Sequence, residues 1–174
     1  EPTRGKWVGL IPGNHELVAR RDYHIDVAAI ICDRLGVPYL GADEACGWLR
    51  ISMMDNGKSR GAVDIFAIHG WGGGELRGSD ALKLQRLLWR KNADLVAVGH
   101  LHRGMIFPEQ VEYLNRRGTE ETRTRWGVIV PPQIGKHAYL ASRGGNAPAP
   151  GYAVVTIHRD HDRTPKLSVS LELF

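Results

Sequence analysis

The apolar residues of this chain fall into short clusters whose period changes along its length. Trp7, Val8, Leu10 and Ile11 make a nearly continuous run over Lys6 to Ile11, the pattern of a buried strand, and Pro12-Gly13 stops it. The loop Gly13 to Glu16 then opens a helix. From Leu17 to Leu35 the apolar positions Ile25, Ala28, Ala29, Cys32 and Leu35 recur at helical spacing, with Arg20, Arg21, Asp26 and Asp33 largely elsewhere, and Gly36 ends the pattern.

Trp48 to Met54 and Ala62 to Ile68 are strand-like runs separated by the turn sequence Asp55-Asn56-Gly57, which predicts a hairpin whose second strand ends at His69. Gly70 to Gly74 is loop. Ser79 is placed to cap a helix from Asp80 to about Lys91, with Ala81, Leu84 and Leu88 on one face. A short strand from Asp94 to Val98 then ends at Gly99-His100. Strand-like pieces near Arg103 to Phe107, Thr124 to Val130, Tyr152 to His158 and Lys166 to Leu173 make the last third mainly β. Ser142 to Gly151, rich in Gly, Pro and Ala, reads as a loop within one domain, because strand signals resume at once. The pattern is that of an α/β protein with a β-rich tail.

Composition changes this picture little. With 174 residues, 43% hydrophobic and 24% charged, the chain is long enough for a single domain spanning residues 1–174. It has no apolar run of the roughly 18 residues needed to cross a bilayer and no secretion-signal pattern, so no membrane partner and a cytoplasmic setting are expected. Cys32 and Cys46 lack Cys-x-x-Cys spacing, which argues against a disulfide framework or a thiolate metal site; Cys32 reads as core. The net charge of +4 fits an anionic substrate, a phosphorylated small molecule or a nucleic acid, without selecting one. Arg116, Arg117, Arg123 and Arg125 are interrupted by Glu120 and Glu121, the pattern of an exposed hairpin of mixed charge.

The chemistry lies at the strand ends. Gly13-Asn14-His15-Glu16, His69-Gly70 and Gly99-His100-Leu101-His102 each follow an apolar strand-like run directly. In layered α/β folds the carboxyl ends of neighbouring strands meet along one edge, so the three clusters can converge. A single histidine at a strand end is more commonly a hydrogen-bonded structural residue; three such clusters in one chain point to a metal site. Imidazole nitrogens and an amide oxygen suit Mn, Fe or Zn better than Mg or Ca. Glycines beside these residues let backbone approach a metal or phosphate closely.

With "GNHE" at 13–16, "IHG" at 68–70 and "GHLH" at 99–102, the chain resembles the calcineurin-like metallophosphoesterases over about Lys6 to Arg103. The resemblance implies a four-layer fold, two β-sheets packed face to face with helices outside. It implies hydrolysis of phosphate esters at a dinuclear centre of divalent ions (Mn, Fe or Zn), a phosphodiester or nucleic acid being slightly preferred. Asn14, His69 and His100 would be ligands of one metal, His102 a ligand of its neighbour, and His15 the catalytic residue serving the phosphate. Two cations about 3.5 to 4 Å apart clamp phosphate oxygens and generate a hydroxide for in-line attack. Glu16 would either orient a ligand or serve as a first-turn carboxylate favoured by the helix dipole. Arg103 would either meet an anionic substrate or be solvated.

The family pattern also carries an Asp-x-His and a Gly-Asp upstream, which residues 1–12 lack; the first aspartate is Asp22. The expectation is therefore an N-terminally truncated domain with one of its two metal sites largely lost and little activity. Two alternatives stand beside it: a non-catalytic scaffold of the same fold, and a mononuclear hydrolase using the retained ligands.

Overall fold

The computed structural model describes residues 5–41, 44–72, 77–133, 149–158 and 165–174. Its elements are helices α1 (Asn14–Tyr23), α2 (Val27–Leu35) and α3 (Arg77–Arg90) and strands β1 (Cys46–Asp55), β2 (Lys58–Ile68), β3 (Leu95–Val98), β4 (Met105–Leu114), β5 (Glu120–Ile129), β6 (Gly151–His158) and β7 (Lys166–Leu173). Strands β1-β2-β3-β5-β4 form a five-stranded sheet in that order, and β6-β7 a second, two-stranded one. The fold is α/β, as the hydrophobic pattern predicts. Among the described residues no helix is long and apolar enough to cross a membrane.

The predicted hairpin is present as β1 and β2. Asn56 and Gly57 turn it with φ of 47° and 75°, the two positive values that a tight two-residue hairpin turn demands. Strand β2 then runs parallel to β3, and β3 parallel to β5, while β4 closes the sheet antiparallel to β5. The crossover from β2 to β3 passes through α3, which packs on β3, β4 and β5. Its Leu84, Leu87 and Leu88 join Phe66, Ala93, Val96, Val98 and Ile129 in the buried core. Gly127 of β5 lies under this helix: a Cβ there would stand 2.8 Å from Leu84 Cγ, so the glycine sets how closely α3 approaches the sheet. The second sheet lies through β7 against β4 and β5.

Several expectations are corrected. Lys6 to Ile11 is not a buried strand: Leu10 alone bridges, parallel to Tyr39, while Trp7 and Val8 are exposed. Among the described residues, backbone hydrogen bonds join Leu10 to Pro38 and Leu40, too short a partner for a ladder. The helix expected over Leu17 to Leu35 is two helices. His24 ends α1 in the left-handed conformation (φ 55°), and Asp26 starts α2 by accepting the Ala29 N–H at 2.9 Å. The third helix begins at Arg77, which puts Ser79 inside its first turn rather than at the cap; Gly78, unlike proline, does not stop a helix. Cys32 is buried, as expected of a core residue. Residues 142–148 of the Gly/Pro/Ala-rich loop lie outside the described residues.

The arginine-bearing β4–β5 hairpin is not solvated throughout. Arg125 is 7% exposed; its Nε donates to Ala93 O at 2.9 Å, and its Nη2 donates to the carbonyls of Leu88 and Lys91. One guanidinium thus caps the C-terminal end of α3, where helix carbonyls lack partners and the dipole favours a cation. Arg125→Met keeps the apolar volume but strands these acceptors. Urea unfolding is expected to show a loss of about 2 to 4 kcal/mol, against under about 0.5 kcal/mol for Arg116→Met on the exposed turn.

Candidate metal centre

The site begins with register. Ile68 lies beside Val98 in the parallel pairing of β2 with β3, so the next residues of both strands, His69 and Gly99-His100, leave the sheet at the same edge. The backbone anchors them there: His69 N–H donates to Ala45 O at 2.7 Å and Gly99 N–H to Ile68 O at 3.0 Å. Asn14 arrives from the first turn of α1, whose N-cap is Gly13. Glu16 reaches back to accept the Gly13 N–H at 2.9 Å, so this carboxylate takes the helix-terminal role of the two expected for it.

One glycine from each motif makes room for the encounter. A Cβ on Gly13 would stand 3.2 Å from His69 Cε1 and 2.6 Å from Glu16 Oε2. A Cβ on Gly70 (φ 90°) would stand 2.9 Å from Gly99 O, and one on Gly99 would be 3.2 Å from His69 O. Sequence suggests that these glycines let backbone approach a metal or phosphate; what they approach here is the His69 and His100 loops.

Three donor atoms converge. His69 Nε2 lies 2.8 Å from Asn14 Oδ1 and 3.1 Å from His100 Nδ1, with the two rings edge-on at 5.0 Å. A neutral His69 satisfies only one of these contacts in either tautomer: it donates to Asn14 or accepts from His100. Neighbouring donors on a first-row cation at about 2.1 Å are separated by about 3.0 Å when they subtend a right angle. The two separations from His69 Nε2 are on that scale, and two imidazole nitrogens with an amide oxygen are a donor set of the kind such cations take. Among the described residues no three His, Cys, Asp or Glu side chains gather as a metal group; the third donor of this cluster is the amide.

His102 and His15 stand apart from this trio. The His102 ring is 6.3 Å from that of His100 and is exposed. His15 follows Asn14 on the exposed surface of the first turn of α1. Arg103, read from sequence as either substrate-facing or solvated, instead reaches the carboxylate of Asp80 at 3.4 Å. Asp80 is 1% exposed and had no sequence signal beyond being an acid in a helix's first turn. Trp71 is exposed beside Gly70, and the glycine-rich loop is described as far as Gly72.

The loop carrying His100 is strained. His100 and His102 have φ of 65° and 53°, and Leu101 N–H bonds back to Gly99 O at 2.7 Å, closing a three-residue turn centred on His100. Positive φ at the centre of such a turn is the rarer form, costing about 1 to 3 kcal/mol for a side chain other than glycine. Burial pushes the His69 pKa below its ordinary value; His100, His102 and His15 push the same way, while Glu16 opposes them.

Comparisons of the chain with protein-family models, with curated proteins and with solved structures find no match.

The His69 shift has a stability consequence. Its pKa is lower folded than the ordinary value of about 6.5, so between the two the unfolded chain binds the extra proton and stability falls as pH drops. In the presence of EDTA the urea midpoint should therefore fall between pH 7.5 and 5.5, and the fall should be smaller in His69→Gln. An equal fall in both proteins would assign the effect to other groups.

Proposed function

We propose that the chain carries part of a calcineurin-like metallophosphoesterase domain and serves a metal-dependent hydrolase of phosphate esters. The convergence of Asn14 Oδ1, His69 Nε2 and His100 Nδ1 at the ends of adjacent parallel strands carries this reading. A mixed sheet with a second sheet lying against β4 and β5 supports the finer, four-layer version of the fold. When bound, a Mn, Fe or Zn ion supplies Lewis-acid polarisation of a phosphoryl oxygen. The chain's own residues do the rest. Asn14, His69 and His100 hold the cation, and the glycines at 13, 70 and 99 let the strand-end segments pack closely enough to bring these side chains together. His15, exposed next to Asn14 at a helix N-terminus that favours negative charge, meets the phosphate and protonates the leaving oxygen. In a complete dinuclear centre His102 would be a ligand of the second cation. A phosphodiester or nucleic-acid substrate is slightly preferred on charge.

The non-catalytic scaffold of the same fold is the rival reading. Calorimetric titration of Zn2+ or Mn2+ into the chain separates the two. The proposal expects one weak site per chain, lost in His69→Ala and weakened about tenfold or more in Asn14→Ala; absence of binding favours the scaffold. Hydrolysis of bis-p-nitrophenyl phosphate by residues 1–174 should stay near background. Robust turnover abolished by His15→Ala would show that these residues already assemble a complete centre.

A further inference from the structure

A buried carboxylate sits where the ligand loop meets helix α3. Asp80, in the first turn of α3, is 1% exposed, and its Oδ2 faces Arg103 Nη1 at 3.4 Å while Oδ1 faces Lys83 Nζ at 3.6 Å. Lys83 belongs to the same helix, one turn on. Arg103 does not: it follows His102 directly and closes the Gly99 to Arg103 loop that holds His100 and His102. The pair therefore ties the loop to an element outside it.

That loop needs a tie. Its two histidines both have positive φ, a conformation that persists only where the surroundings hold it. At its start the loop is fixed by the Gly99 N–H bond to Ile68 O, and in its middle by Leu101, packed against the core cluster. Beyond Leu101 the ion pair of Arg103 with Asp80 flanks His102 on its C-terminal side. Burying a carboxylate is unfavourable unless it is paired, so the position of Asp80 selects loop conformations that bring Arg103 to it.

We propose that Asp80 is a positioning residue of the metal centre: through Arg103 it holds the Gly99 to Arg103 loop in the strained conformation that presents His100 and His102. This rests on the reading of His100 and His102 as metal ligands. The tie itself is a property of the metal-free chain and can be read separately.

The test uses three variants of the full chain. Asp80→Asn keeps the shape of the side chain and removes its charge; Arg103→Gln breaks the same pair from its more exposed side, should Asp80→Asn fail to fold. Lys83→Ala removes the other cation on the carboxylate without touching the loop. Two quantities are measured: Zn2+ affinity by calorimetry, and the backbone amide signals of residues 99–103 by NMR in EDTA, with helix content checked by circular dichroism. Whichever of Asp80→Asn and Arg103→Gln folds should shift or broaden the amides of residues 99–103 and weaken Zn2+ binding about fivefold or more, by analogy with the loss of outer-sphere partners at metal sites. Lys83→Ala, which leaves Arg103 on the carboxylate and lies outside the loop, should stay within about twofold of the parent. Unmoved amides overturn the proposal, as does unchanged Zn2+ affinity in a folded pair-breaking variant or an equal loss in Lys83→Ala. If the parent chain binds no Zn2+, the metal reading fails and the positioning of a metal centre fails with it. Shifted amides would then leave Asp80 as a structural tie alone.

Discussion

The parallel register of three strands is the constraint on which the rest of the structure depends. Ile68, Val98 and Ile129 lie level across β2, β3 and β5, and neighbouring strands are about 4.8 Å apart. Whatever follows these residues in sequence must leave the sheet together, at one edge. His69 and His100 meet for that reason, and the glycines between them are needed because the two loops are closer than side chains would allow. A parallel pair also requires a crossover, here α3, whose leucines form much of the buried core. Core and site are two consequences of one topology.

Helix α3 is held at both ends by charge of the sign its dipole favours. At the C-terminal end the buried guanidinium of Arg125 takes carbonyls of Leu88, Lys91 and Ala93. At the N-terminal end buried Asp80 faces Arg103. Both arginines come from other elements, β5 and the His100–His102 loop, so the helix is fixed to the sheet and to the site by two buried charges as well as by its apolar face. A buried ion pair contributes little net stability, because desolvation offsets the attraction. Its value here is geometric: it fixes which loop conformation coexists with the packed helix.

Donor crowding at the edge has a similar logic. His69 Nε2 lies 2.8 Å from Asn14 Oδ1 and 3.1 Å from His100 Nδ1, and one ring nitrogen, carrying either a proton or a lone pair, serves only one of those contacts well. Protonating His69 is opposed by burial and by its histidine neighbours. Under the proposed reading, a small divalent cation would take the three lone pairs at once.

The sequence by itself determined whatever depends on neighbours within about one turn or one hairpin. Asn56-Gly57 specified the β1–β2 turn, because only residues tolerant of positive φ fit there. The alternation after it specified the strands, and the motifs Gly-Asn-His, His-Gly and Gly-His-Leu-His marked Asn14, His69 and His100, which meet at one sheet edge. Local patterns also misled where distant contacts decided the outcome. Lys6 to Ile11 has the composition of a strand, yet among the described residues Leu10 alone forms a bridge. His24 interrupts a continuous helical pattern because its left-handed backbone is followed by a capping aspartate. Arg125 looked like one of several surface cations until the carbonyls of α3 surrounded it. Tertiary structure alone decided the meeting of Asn14 with His69 across 55 positions, of His69 with His100 across 31, and of Asp80 with Arg103 across 23. No local signal encodes those distances; they follow from the order in which the strands pair and from the helix packed across them.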